Sequence, residues 1–266
     1  MFNRIVAAVG TELDSHLNLA AGELRSRDGR VHPCHVEATR SAVILDSLLT
    51  EVTSLQGDLL VVGARSHALA RRAAMSAPCS VLMVPSAEPV TLSHLLVATD
   101  FSAASAEGIR EAGRIAAAAG SKVTVVAVEC DEDPWLDWVD YPEQSQQTLD
   151  RFVESTVGLG HGFACLVEPE HSLPAGSPLG AGLDNFEGAR TAASILAVAD
   201  RIGATLIVVG TRGRTETAAV ILGSVVEKVI QASALPVLAV KQPGAQLGLL
   251  KGLVQRLSGH RHLVAS

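Results

Sequence analysis

The stretch from Gly210 to Ser224 holds the residues with the clearest potential for chemistry. Its spacing is Gly210, two residues, Gly213, nine residues, Gly223, and then Ser224. It follows an apolar run and precedes a predicted helix. Glycine lets a backbone approach a ligand closely, and a loop of N–H groups that leads into a helix N-terminus attracts anions. Gly213, Gly223 and Ser224 are therefore a candidate phosphate site, unless the glycines only form a turn and Ser224 only caps the helix.

The elements that would position this stretch alternate between apolar strands and helices. The predicted strands are 95–99, 122–128, 163–167, 206–209 and 237–240, and the predicted helices are 103–119, 143–157, 190–202 and 224–232. This alternation indicates an α/β fold with a parallel, doubly wound sheet. Such sheets bind ligands outside the carboxyl ends of their strands. Asp100, at the end of the first of these strands, is therefore expected near Gly210.

An internal repeat divides the chain into two halves. The runs 4–10, 57–65 and 81–84 resemble the later runs 94–100, 204–212 and 237–240. The first half has strands predicted at 5–9, 31–36, 59–62 and 81–84, with helices at 14–25 and 39–55 and a further short helix. It lacks one strand–helix unit and the segment that corresponds to 213–223. We predict two tandem doubly wound lobes, with a truncated lobe over 1–85, a complete lobe over 94–241 and a tail over 242–266.

Composition excludes several classes of function. The chain has 266 residues, a formal net charge of −7 and 48% hydrophobic residues, which does not fit a nucleic-acid-binding surface. No apolar run is long enough to span a membrane, and we expect neither a signal peptide nor a location outside the cytoplasm. Cys34, Cys79, Cys130 and Cys165 have no metal or redox spacing. His32, Cys34 and His35 lie in a predicted strand, and we predict no metal site there.

The second half resembles a universal stress protein domain over nearly all of 95–240. The resemblance is carried by the sequence VATDFS at 97–102, by the glycine spacing described above and by ALPVLAV at 234–240. In that family the pattern Gly-x2-Gly-x9-Gly-Ser/Thr marks the ATP-binding branch, and this sequence matches the pattern completely. The resemblance implies a Rossmann-like fold of the adenine nucleotide α-hydrolase type. It also implies ATP as the ligand, accompanied by Mg²⁺ where the nucleotide carries it, and a homodimer.

The resemblance assigns roles to matching positions. Asp100 would contact the adenine, Val128 would pack near the base, and Ala98 and Gly210 would flank the ribose, with Thr99 in the same strand end. Backbone and hydroxyl groups would contact the phosphates at Gly213, Gly223, Ser224 and Val225. Arg212 and Arg214 would add positive charge there, or would lie on a solvated loop face. No residue is assigned a catalytic role.

The first half departs from the family pattern. Gly10 replaces the acid, Ser66 replaces the second glycine, and the nine-residue segment is missing. We therefore expect one nucleotide per chain, in the second half, and a first half that packs against it. A nucleotide-dependent regulator is the leading hypothesis. A module that has lost its ligand, a slow ATPase or autophosphorylating protein, and a pyrophosphatase-like enzyme are the alternatives.

Three further segments have no assigned role. Segment 131–143 contains both tryptophans and would be a lid, a docking patch or a hydrophobic plug. Segment 168–188 is predicted to be a loop insertion. The tail carries an apolar stripe at Leu247, Leu250, Val254 and Leu257, which predicts a helix docked on a neighbouring lobe or subunit in preference to a short, weakly basic helix on a membrane surface.

Overall fold

The computed structural model describes residues 1–9, 15–35, 41–63, 67–85, 89–129, 142–170, 188–211 and 222–242. The strands in these ranges are β1 (Phe2–Val9), β2 (Arg25–His35), β3 (Leu59–Gly63), β4 (Ser80–Val84), β5 (His94–Thr99), β6 (Lys122–Glu129), β7 (Ala164–Pro169), β8 (Leu206–Gly210) and β9 (Val237–Val240). The helices are α1 (Ser15–Glu23), α2 (Ser41–Ser54), α3 (His67–Ser76), α4 (Ala103–Ala119), α5 (Pro142–Val157), α6 (Ala189–Arg201) and α7 (Ser224–Ala232). None of these described helices is long and apolar enough to cross a membrane.

All the described strands join in a single sheet. Their order is β2-β1-β3-β4-β9-β8-β5-β6-β7. Neighbouring strands are parallel within each half of the chain, whereas β4 and β9 pair antiparallel at the junction. The strands of the two halves therefore run in opposite directions. The carboxyl ends of β5, β6 and β8 lie on the same edge of the sheet as the amino ends of β1 and β3.

Helices cover both faces of the sheet, as expected for strands that are apolar on both sides. The core on one face includes Leu17 of α1, Ile109 of α4 and Leu149 of α5. The core on the other face includes residues of α2, α3, α6 and α7. Between the halves, Val90 and Leu92 are buried in the first of these cores, so the connection from β4 to β5 also covers the sheet.

The prediction of an α/β fold with doubly wound parallel strands in each half is confirmed, and the antiparallel pairing of β4 with β9, which joins the halves in one sheet, was not predicted. Helices α4 and α7 and strand β9 have the bounds predicted from the sequence, and α5 begins at Pro142, one residue earlier than predicted. In the described part of the first half, no strand corresponds to β7; that a whole strand–helix unit is missing stays a prediction. The division into lobes at 1–85 and 94–241 stays a prediction, and almost the whole tail lies outside the described residues.

The sequence-based bounds of β2 were wrong. The strand was expected to begin at Val31, but it begins at Arg25, directly after α1. Pairing with β1 overrides the local pattern, because Phe2 pairs with Arg25 and the register shifts before Arg4 pairs with Arg30. The polar residues 25–30 show no apolar alternation, so they gave no strand signal. Arg25, Arg27 and Arg30 are exposed along this outer strand.

The junction between the halves is open to a direct test. Leu238 is fully buried and pairs with Leu82 across β4 and β9. Leu238→Ala removes buried apolar surface and leaves a cavity, so we expect a loss of about 2–5 kcal/mol in the free energy of unfolding. Leu19→Ala is the control, because Leu19 is 65% exposed. Urea unfolding followed by circular dichroism measures both, and equal midpoints for the two variants would contradict the fold described here.

Candidate functional site

The turn from β5 into α4 is held by side-chain hydrogen bonds. Asp100 Oδ1 accepts from the backbone N–H of Ser102 (3.1 Å), and Ser102 Oγ caps α4 by accepting from the N–H of Ser105 (3.1 Å). The Thr99 and Ser105 hydroxyls lie 2.9 Å apart, and Thr99 Oγ1 also accepts from the N–H of Phe101 (3.1 Å). These bonds fix Asp100, half-buried, at the carboxyl end of β5.

Phe101 adopts a backbone conformation that is unusual for a side chain of its size. Its φ is 64°, in the left-handed region. The ring packs edge-on against Phe152 of α5, with 5.4 Å between centroids, and this contact holds the residue in place. Residues in such conformations cluster at functional sites, where the surrounding structure enforces them.

Gly210, at the end of β8, is pressed against the first turn of α4. A Cβ at this position would lie 2.6 Å from the carbonyl carbon and oxygen of Ala104 and 2.8 Å from the nitrogen of Ser105. The contact brings the glycine motif against the turn that holds Asp100. It also gives Gly210 a packing role, beside the ribose contact that stays a prediction. Gly63 ends the corresponding strand β3, and a Cβ there would meet only the Leu17 side chain, at 3.5 Å.

Thr211 and Gly223, which flank the segment 212–221, are joined by a hydrogen bond. The N–H of Thr211 donates to the carbonyl of Val240 (3.1 Å), and the carbonyl of Thr211 accepts from the N–H of Gly223 (3.4 Å). Thr211 and Leu222 are both buried. The base of the glycine motif is therefore attached to the ends of β8 and β9. Arg212, Gly213 and Arg214 lie outside the described residues.

Helix α7 begins without a side-chain cap. Gly223 is the N-cap residue, with no side-chain hydrogen bond, and Ser224 is the first helical residue. The interpretation of Ser224 as the N-cap is therefore wrong. The N–H of Glu227 donates to the carbonyl of Gly223 (3.0 Å) and makes the first intrahelical bond. The earlier N–H groups, at Ser224, Val225 and Val226, have no acceptor within the helix.

The start of α6 packs against the start of α7. Gly188 is the N-cap residue of α6, with φ 78° and no side-chain hydrogen bond. A Cβ on Gly188 would lie 2.8 Å from the nitrogen of Val225 and 3.0 Å from Ser224 Oγ. Two helix N-termini with glycine caps therefore touch, and their dipoles add positive potential at one place. Sequence reasoning assigned Gly188 to a loop, although a glycine just before a helical stretch is a usable signal for an N-cap.

The carboxyl ends of β5 and β6 carry the remaining predicted site residues that the structure describes, which are Ala98, Thr99 and Val128. Ala98 pairs with Val126 and Thr99 with Ala127, so Val128 follows at the end of β6, beside the end of β5. Ala98 and Val128 are partly buried and pack against the core that contains α6 and α7. Sequence reasoning missed Glu129, which lies at the same edge and accepts a short hydrogen bond from the hydroxyl of Ser145.

The thiols of the described residues are not activated. Burial raises the pKa of Cys79 to about 12. Burial, followed by the nearby Asp150, raises the pKa of Cys165 to about 12. Both thiols stay protonated at neutral pH, so neither supplies a thiolate nucleophile. Across the described ranges, no three His, Cys, Asp or Glu side chains are grouped closely enough to hold a metal ion.

The comparison with protein families finds one match. The Universal stress protein family model matches residues 186–241. This segment contains α6, β8, α7 and β9, and it includes Gly188, Gly210, Gly223 and Ser224. The matched segment is a minor part of the chain, so the family match applies to this segment rather than to the whole protein. A comparison with curated proteins finds no match.

Solved structures support the fold over most of the chain. A universal stress protein from Archaeoglobus fulgidus DSM 4304 is 16% identical, with a TM-score of 0.58, over 90% of this chain and 96% of the other. A putative universal stress protein from Pseudomonas aeruginosa UCBPP-PA14 is 20% identical, with a TM-score of 0.57, over 92% and 84%. A protein of Pseudomonas aeruginosa PAO1, described as functionally unknown, is 19% identical, with a TM-score of 0.56, over 95% and 86%.

The contact at Gly210 predicts a difference between two equivalent glycines. Gly210→Ala forces a Cβ into the backbone of α4, so we expect the free energy of unfolding to fall by about 1–3 kcal/mol. Gly63→Ala is the matched control, because its Cβ would make an ordinary contact with Leu17. Chemical denaturation of both variants measures the difference. A Gly210→Ala variant as stable as Gly63→Ala would show that α4 does not press on β8.

Proposed function

We propose that this chain is a universal stress protein that binds one ATP in its second half and acts as a nucleotide-dependent regulator. The observation that carries the proposal is the pair of touching helix starts at Gly188 and Gly223, neither of which has a side-chain cap. They lie at the edge of the sheet where Asp100 follows the carboxyl end of β5. This is the edge where open parallel sheets bind ligands.

The phosphates would be bound by backbone groups. The first-turn N–H groups of α7 have no intrahelical acceptor, and the helix dipole favours negative charge there. Ser224, at the first helical position and without a capping role, has a hydroxyl available as a donor. Residues of the glycine motif within 212–221 would complete the cradle. We expect Arg212 and Gly213 to contribute there, as the family pattern implies.

The base and ribose would lie toward β5 and β6. One carboxylate oxygen of Asp100 accepts a hydrogen bond from the Ser102 N–H. We propose that the carboxylate also accepts a hydrogen bond from the exocyclic amine of adenine. Val128 and Ala98, which pack toward the core that contains α6 and α7, would supply apolar surface beside the strand end. Thr99 would contribute backbone groups, because its hydroxyl lies 2.9 Å from that of Ser105 on the other side of the sheet. Mg²⁺ would arrive with the nucleotide, bound by phosphate oxygens.

The first half would bind no nucleotide. Gly10 and Ser66 lie outside the described residues, so this part of the proposal depends on the sequence, in which the acid, the second glycine and the nine-residue segment are absent. The family resemblance further supports a homodimer. Free thiols at Cys34, Cys79 and Cys165 support a reducing compartment such as the cytoplasm.

The experiment is isothermal titration of the purified chain with ATP, ADP and AMP. We expect one ATP per chain and an affinity that falls as phosphates are removed, because each phosphate adds contacts with the amides of α7. Gly223→Val places a branched side chain at the start of α7, and Asp100→Ala removes the carboxylate. Each change should weaken ATP binding about tenfold or more, equivalent to at least about 1.4 kcal/mol.

Gly63→Ala, at the equivalent strand end of the first half, is the control and should bind ATP as the wild type does. A stoichiometry near two per chain would contradict the single site. An absence of binding would favour an interaction module that has lost its ligand. Rapid release of phosphate during the titration would favour an enzyme.

A further inference from the structure

Helix α3 of the first half packs along helix α7, the helix that begins at the proposed phosphate site. Arg71 Nη1 lies 3.0 Å from Glu227 Oε1, and His67 Nδ1 lies 3.3 Å from the carbonyl oxygen of Ile230. Residue numbers rise along α3 as they fall along α7, so the two helices are antiparallel. The carboxyl end of α3 therefore lies toward Gly223. There, Lys241 Nζ donates to the carbonyl of Met75 (3.0 Å) and joins this end to the chain after β9.

Glu227 has two opposed electrostatic effects. It is the acidic residue of the first turn of α7, where a negative charge suits the helix dipole. The same charge repels an anion bound at the helix start. Since a helix rises about 1.5 Å per residue, the Glu227 backbone lies about 6 Å along the axis from Gly223. This is within the Debye length of about 8 Å at physiological salt, so solvent ions do not fully screen the repulsion.

We propose that Arg71 is a positioning residue for the nucleotide site, supplied by the first half of the chain. By pairing with Glu227, Arg71 holds this carboxylate against α3 and cancels its charge, so that the start of α7 accepts a polyphosphate. The inference rests on the proposed function. The Arg71 and Glu227 side chains are 43% and 33% exposed, and ion pairs this open add little to folding stability. Their main effect is therefore on the potential at the helix start.

Arg71→Met tests the proposal, because methionine keeps an apolar stem and removes the charge. One uncompensated carboxylate near several phosphate charges should weaken ATP binding roughly fivefold at low salt. Because AMP carries less negative charge than ATP, the variant should lose less affinity for AMP than for ATP. The loss of ATP affinity should become smaller as salt is added. Arg71→Lys keeps the positive charge and should retain most of the affinity.

A double-mutant cycle separates this role from a merely structural one. Glu227→Gln alone should bind ATP at least as well as the wild type, and the double variant Arg71→Met with Glu227→Gln should recover that affinity. Arg72→Met is the matched control, because exposed Arg72 lies on the same helix and carries the same charge. It should leave the ATP affinity unchanged. Thermal unfolding of each variant checks that the fold is intact.

The outcomes distinguish the two proposals. If the wild type binds ATP but the double variant is as weak as Arg71→Met, or if AMP binding falls as much as ATP binding, the positioning role is wrong and the nucleotide site stands. If Arg71→Met and Arg72→Met weaken ATP binding equally, the loss of any positive charge on α3 explains the effect, and the specific role of Arg71 is wrong. If the wild type binds no nucleotide, the proposed function fails and the inference fails with it.

Discussion

The antiparallel pairing of β4 with β9 is the constraint on which the rest of the molecule depends. Two strands of five and four residues join through the pairs Val81 with Ala239, Leu82 with Leu238 and Met83 with Val237. The pairing satisfies backbone groups that would otherwise form open edges in both halves. It also buries both strands completely. Because it reverses strand direction, it brings α3 of one half beside α7 of the other.

Contacts between glycine backbones and helix starts build the proposed site. The absence of a side chain at Gly210 lets the first turn of α4 approach the end of β8, and at Gly188 it lets the first turn of α7 approach the start of α6. In both places a side chain would separate elements that must touch. The Asp100 turn, the end of β8 and the starts of α6 and α7 are consequently held together by close backbone packing. Such an arrangement presents fixed N–H donors, which lose little entropy when an anion binds.

How far the sequence predicts the structure depends on how local each signal is. The sequence predicted the bounds of α4, and in the structure Ser102 caps its start as a hydroxyl acceptor while Gly120 ends it as a left-handed residue. Asp100 was proposed as a site residue because it follows a predicted strand, and Gly223 because of the glycine spacing. In contrast, Arg71 and Glu227 are 156 positions apart, and no local pattern relates them. The strand character of Arg25–Arg30 was missed for the same reason, because it depends on pairing with β1.

The two outer edges of the sheet are not equivalent. One edge is β7, a short strand of six residues, and the other is β2, which has eleven residues, exposed arginines and Pro33. If two copies approached through β2, guanidinium groups would face guanidinium groups, and the proline would leave a gap in the hydrogen-bond ladder. These features disfavour pairing of a further strand along the β2 edge.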